Sequence, residues 1–204
     1  MNKKEYNYQQ MLREYDLLKG EILQAYDQQM NLIFGAGVTA VSALALSIIQ
    51  SSVLLIGLPV LLGILIGIVK KSISNYHRIY RIASYITIIH EQEGLPTGRD
   101  KLSLYHIAWH TRLRKIARSG ALSWKGGGAA KADAFFLFLL GIGSWILVVG
   151  KFGTLLLDNF TNIALITFSL ILTIIFFNSV YNLNNAFRLA LIYEDEFRQQ
   201  LENE

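Results

Sequence analysis

The sequence predicts an all-α integral membrane protein with two transmembrane hairpins, four transmembrane helices in all, and cytoplasmic helical extensions. Three observations lead there. The chain of 204 residues is 52% hydrophobic and only 17% charged, a balance of integral membrane proteins rather than soluble domains. Between Asp27 and Lys70 lie 42 consecutive residues without a charge. A second pair of uncharged stretches, Ala134 to Gly150 and Asn159 to Phe187, counts 17 and 29 residues. Crossing ~30 Å of hydrocarbon at ~1.5 Å per residue takes about 20 apolar residues. The first run is therefore long enough for two spans, and the later pair supplies two more.

Residues 1–30 form the first element, a cytoplasmic N-terminal helix. Tyr8, Met11, Tyr15, Leu18, Ile22 and Ala25 recur at steps of three and four, the spacing of a helix-pair seam. That seam suits packing against the protein's own central segment or self-association. Gly20 weakens the helix by ~1 kcal/mol relative to alanine. No breaker precedes the apolar run, so one helix is expected to continue from the cytoplasm into the bilayer. The polar, mixed-charge start is not a cleavable signal peptide, and the first hairpin acts as its own insertion signal.

Residues 31–70 form that hairpin. Gln50-Ser51-Ser52 are the only consecutive polar residues between Asn31 and Lys70, and a turn there leaves helices at 32–49 and 53–70. In the first, Gly35, Thr39, Ala43 and Ser47 make a small-residue stripe at four-residue steps; in the second, Gly63 and Gly67 bracket "GILIG". Small residues so spaced let helices approach closely, within one chain or between chains.

Residues 71–133 make a basic cytoplasmic helical segment. Ile73, Tyr76, Tyr80, Ala83 and Ile86 extend the second span as a helix to about Gln92. "GLPTGRD" then breaks it. A further helix, Asp100 to Arg118, gathers Leu102, Tyr105, Trp109, Leu113 and Ile116 on one side. Arg112, Arg114, Lys115 and Arg118 cluster at its end, where cations suit the helix dipole. "KGGGAAKA" is a flexible lead into the third span. Residues 70–133 hold twelve basic and four acidic side chains. That charge sets topology; it also suits anionic headgroups, with Trp124 at the interface, or a phosphate-rich ligand or nucleic acid. Residues 134–182 form the second hairpin, and 183–204 an acidic cytoplasmic C-terminal helix with Glu194, Asp195, Glu196, Glu202 and Glu204.

Orientation follows from the basic residues. Residues 1–30 carry four and the C-terminal tail two, whereas the connection after the third span has only Lys151. By the positive-inside rule both termini and the central segment face the cytoplasm of a cell inner membrane, with Gly126 inside and Gly153 outside.

Motifs for chemistry are missing. There is no cysteine, which excludes disulfides, thiolate metal sites and cysteine nucleophiles. "HIAWH" (His106, His110) lacks the glutamate base of zinc proteases, and "HEQEG" (His90) lacks the second histidine. His77 completes the four histidines without completing a ligand set. "GLPTGRDK" and "KGGGAAKAD" miss the phosphate-loop pattern. No charge lies inside a span, and Pro59 alone interrupts one, unlike transporters with ion relays or paired broken helices. Neither an enzyme nor a cofactor is expected.

"RIASYITIIHEQEG", Arg81 to Gly94, directly follows a hairpin that a tyrosine-rich helix precedes. In that layout, over about residues 5–115, the chain resembles small membrane proteins encoded beside prokaryotic anti-phage systems. These are SLATT-type and other two-spanning effectors, retron membrane effectors and multispanning CRISPR accessory proteins. The second hairpin departs from the two-spanning pattern. The resemblance implies a cytoplasmic sensor or partner-docking part that controls oligomeric membrane helices, with membrane permeabilisation as output. The expectation is thus a non-enzymatic, homo-oligomeric membrane effector answering a cytoplasmic partner or ligand. Its rivals are a membrane-anchored scaffold for a soluble enzyme and a small channel or transporter.

Overall fold

The computed structural model describes residues 3–49, 51–86, 128–152, 160–186 and 188–202. Over them the chain is helical: α1 is Lys3–Ile49, α2 Ser51–Tyr85, α3 Gly128–Phe152, α4 Phe160–Asn184 and α5 Arg188–Glu202. α1 ends at Ile49 and α2 begins at Ser51; Gln50, the first residue of the expected polar turn, lies outside the described residues. α1 is unbroken through Gly20, and α2 continues past Pro59. The turn cluster "GLPTGRD" and the basic helix after it lie outside the described residues, as do His90, His106 and His110.

Two compact units divide the chain. The first gathers Met1–Gln28, Asn75–Gly128 and Ala186–Glu204; the second gathers Gln29–Ser74 and Ala129–Asn185.

In the second unit, small side chains set the buried faces of α1 and α3. Ala36 and Ala40 on α1 are fully buried, as are Ala130 and Leu137 on α3, with Ala134 nearly so. The α3 positions continue through Gly141 and Ser144, a run of alternating four- and three-residue steps that keeps one helix face. α2 contributes Leu58, Leu61, Leu62, Leu65, Ile66 and Val69. α1 and α3 run in the same direction: Gln29 donates through Nε2 to Asp133 Oδ2 at 2.7 Å, and Gly37 faces the Phe136 ring. α3 and α4 run antiparallel. Along their contact Phe138 meets Phe177 at 5.3 Å between centroids, Gly141 lies under Phe176, and Trp145 Nε1 donates to Thr173 Oγ1 at 2.8 Å. Phe176 is buried with no exposed surface, and its ring occupies the place a side chain at Gly141 would need.

Hydroxyls in these apolar helices bond to their own helix. Ser144 donates to the Leu140 carbonyl, Ser169 to Leu165, Thr173 to Ser169 and Ser179 to Ile175, at 2.7 to 2.8 Å. Back-bonding to the preceding turn satisfies a hydroxyl where water is absent. Ser72, fully buried on α2, is the exception among the described residues: its Oγ has no partner.

Among the described residues three helices are long and apolar enough to cross a membrane: Ile56–Tyr85, Ala129–Ile146 and Ile163–Asn184, of 30, 18 and 22 residues. Many of their outward side chains are apolar, although Lys70, Lys71, Arg78 and Arg81 on the first are exposed too. Ile174 is 71% exposed and Ile146 65%; in water each such side chain would forgo ~1.5–3 kcal/mol of burial. The expected first span, 32–49, lies within α1, but the side chains of Leu44 and of residues 46–49 are outside the described ones.

α4 ends in a polar cap. The Asn185 backbone N–H donates to the Tyr181 carbonyl at 3.2 Å, and its side-chain Nδ2 donates to the same oxygen at 2.9 Å. Capping carbonyls left over by the last turn lets a new helix, α5, start three residues later at Arg188.

Candidate functional site

Within the first unit, three helix segments surround a groove of about 600 Å³. α1 supplies Glu14, Leu18 and Glu21, which share a face by their three- and four-residue spacing. α2 supplies His77, Arg78, Arg81, Ile82 and Tyr85, two adjacent rows of one helix. α5 supplies Tyr193 and Phe197, four apart. The helical repeat alone aims these residues inward.

The seam expected along α1 packs inside the chain. Tyr15, Ile22 and Ala25 are buried, and Leu18, half-buried, borders the groove; the side chains of Tyr8 and Met11 lie outside the described set. On α2 Tyr76 and Ile79 are buried as well, and so is Ile86 just past its end. Tyr76 also stacks on Tyr80 at 5.7 Å.

Polar contacts cross-link the walls. Arg78 Nη2 donates to Glu21 Oε2 at 3.1 Å, an ion pair whose side chains are 45% and 48% exposed. Pairs that open to solvent are worth only ~0–1 kcal/mol. One end of the groove is held by Tyr85, whose hydroxyl donates to Glu14 Oε1 at 3.1 Å and whose ring meets Phe197 edge-on at 5.6 Å. Tyr85 lies beyond Lys70, Lys71, Arg78 and Arg81 on α2, outside the apolar stretch. Burial first, then the Glu14 charge and the hydrogen bond to it, push its phenol above the ordinary tyrosine value. It therefore stays a protonated donor at neutral pH. The other end is held by His77 Nδ1 and Tyr193 OH, 2.7 Å apart, with their rings edge-on.

These contacts fix helix directions in this unit. α1 and α2 are antiparallel, since Glu14 pairs with Tyr85 and Glu21 with Arg78. α2 and α5 are parallel, since His77 pairs with Tyr193 and Tyr85 with Phe197.

Among the described residues, none of those expected to carry function lines the groove. Arg112, Arg114, Lys115 and Arg118 lie outside the described residues. Gly35, Thr39 and Ala43 are half-buried and flank the fully buried Ala36 and Ala40. The packed face of α1 is thus offset by one position from the predicted stripe, because the helix turns Ala36 and Ala40 inward. The side chain of Ser47 is outside the described set. Gly63 and Gly67 are exposed, and a Cβ at either would meet no atom within 4 Å. Among the described residues they bring no two helices together. The groove residues carried only a weak sequence signal: His77, Arg78 and Arg81 stand among the first charged and titratable side chains after the apolar run.

No family model, no curated protein and no solved structure matches this chain.

Proposed function

We propose that the chain is a multi-pass, non-enzymatic and oligomeric effector of the cell inner membrane, serving prokaryotic antiviral defence. In this reading it perturbs or permeabilises the membrane when a cytoplasmic partner or ligand signals. The carrying observation is the continuity of α2 from Ser51 to Tyr85. One unbroken helix holds both an apolar stretch fit for a bilayer and the central wall of a polar groove. An event at His77–Tyr85 then acts on the same helix that carries the apolar stretch, the kind of physical link coupling requires.

Four crossings are proposed, two hairpins with both termini cytoplasmic. Support comes from the charge-free 42 residues before Lys70, from the positive-inside distribution, and from Tyr85. Glu14 accepts from its hydroxyl and Phe197 meets its ring, which supports placing both flanking helices on the same side. Reporters test this: a periplasm-only enzyme fused at Glu204 stays silent, and one inserted at Gly153 is active. The reverse pattern overturns the orientation.

Oligomerisation is assigned to the outward face of α2, where Gly63 and Gly67 lie open beside the exposed Val60 and Ile64. In lipid, association is driven by close packing, which small residues permit. Replacing both glycines with leucine should leave insertion intact while abolishing crosslinked oligomers and membrane depolarisation on expression. A variant that is inserted, oligomeric and still depolarising refutes the effector reading of this face. A wild-type protein that never depolarises cells but co-purifies with a soluble partner is a scaffold instead.

A further inference from the structure

The groove of the first unit has one chemical capacity left over once its internal contacts are assigned. Both of its carboxylates are engaged, Glu21 by Arg78 and Glu14 by Tyr85. His77 is engaged by Tyr193. Arg81 is exposed and makes no ion pair among the described residues. Its guanidinium offers a planar fork of donors, and such forks match the oxygens of carboxylate and phosphate. Beneath the charges the lining is apolar and aromatic: Leu18, Ile82, Tyr85 and Phe197. A volume of about 600 Å³ lies inside the ~300–1,000 Å³ span of small-molecule sites.

We propose that this groove binds a small amphiphilic anion, a carboxylate or phosphate carried on a flat apolar or aromatic body. The anion sits on Arg81 and reaches Arg78; the body lies against Leu18, Ile82 and Phe197. Glu14 and Glu21 set a limit on charge. With two carboxylates in the same lining, each further negative charge on the ligand meets repulsion, so the site favours low charge over polyanions. The ligand also competes with Glu21 for Arg78. Occupancy therefore loosens the tie between α1 and α2 at that point, while the Tyr85–Glu14 hydrogen bond stays in place. The binding step stands on the groove alone. That it triggers the membrane output rests on the function proposed above.

The test uses the full-length protein in nanodiscs of zwitterionic lipid, which supply no anionic headgroups. 2-Naphthyl phosphate, 2-naphthoate and inorganic phosphate are titrated by calorimetry. At least one naphthyl anion should bind ten-fold or more tightly than inorganic phosphate, and which of the two does so tells phosphate from carboxylate recognition. Arg81→Gln should weaken that binding at least ten-fold. Its side chain is exposed, so the thermal unfolding midpoint should hold. Glu21→Gln should tighten binding several-fold, because the competitor for Arg78 is gone; a merely structural role for Glu21 predicts no gain. No binding by either naphthyl anion, equal binding of inorganic phosphate, or binding indifferent to Arg81→Gln overturns the proposal. Dye release from liposomes is read separately. Binding without release leaves the site standing and overturns only the effector reading.

Discussion

Gly141 offers a sharp measurement of how closely two of these helices are fitted. A Cβ built there falls inside van der Waals distance of the Phe176 ring, with Cζ at 3.1 Å and Cδ1 at 3.2 Å and Cε1 closer still. Phe176 has no exposed surface and also touches Phe177 at 5.4 Å, so its ring has little room to retreat. Gly143, two residues along the same helix, would meet nothing within 4 Å. Alanine at either site gains the same helix propensity, ~1 kcal/mol. Overpacking a fitted contact costs ~1–3 kcal/mol. Propensity cancels when the two variants are compared, so Gly141→Ala should be ~1–3 kcal/mol less stable than Gly143→Ala. The assay is reversible unfolding in mixed micelles, titrating a denaturing detergent and following helical circular dichroism. Adding Phe176→Leu to Gly141→Ala should recover part of the loss, with a coupling of at least ~0.5 kcal/mol. Equal stability of the two alanine variants would refute the antiparallel packing of α3 on α4 at this point.

Other expectations follow from single contacts. Ser72→Ala should stabilise the protein or leave it unchanged, since a buried unpaired hydroxyl costs ~1–3 kcal/mol; clear destabilisation in the same unfolding assay would show that Ser72 Oγ has a partner. Trp145→Phe removes the bond to Thr173 and should cost about 0.6 kcal/mol, the average for such interhelical bonds in membranes, and Thr173→Val in the Phe background should then add little. Tyr85→Phe keeps the ring on Phe197 but strips the donor from Glu14, and should lower stability by ~1 kcal/mol. Arg78→Gln should change stability by no more than ~1 kcal/mol, measured at low and high salt; a larger loss would mean the pair is far better shielded than its exposure indicates.

Much of the architecture is readable from residue types. Lack of charge over 28–69 marks the apolar run, because charge is what a bilayer rejects. The seam at Tyr15, Ile22 and Ala25 is readable because burial on a helix repeats every three or four residues. Its partner is not readable, since a periodic face does not say what covers it. The small residues show the same boundary. Glycine and alanine permit close approach without specifying where it happens. Ala36 and Ala40 are fully buried beside the half-buried Gly35 and Thr39, a distinction that composition does not encode. The groove is least visible of all. Glu14, Arg78 and Tyr193 stand far apart in sequence and are joined only by how three helices align, and no spacing rule links positions on separate elements.

The ring of Tyr85 also bears on the order in which the protein is made. Glu14 emerges from the ribosome early, Tyr85 midway and Phe197 almost last. With synthesis at ~5–20 residues per second and folding faster than that, the α1 and α2 walls exist well before α5 does. The third wall arrives only after α3 and α4 have been synthesised. A stalled or truncated product therefore carries apolar helices but an incomplete groove, without Tyr193 to hold His77 or Phe197 to cover Tyr85. A groove whose third wall is α5 cannot close until α5 has been made, whatever the groove holds.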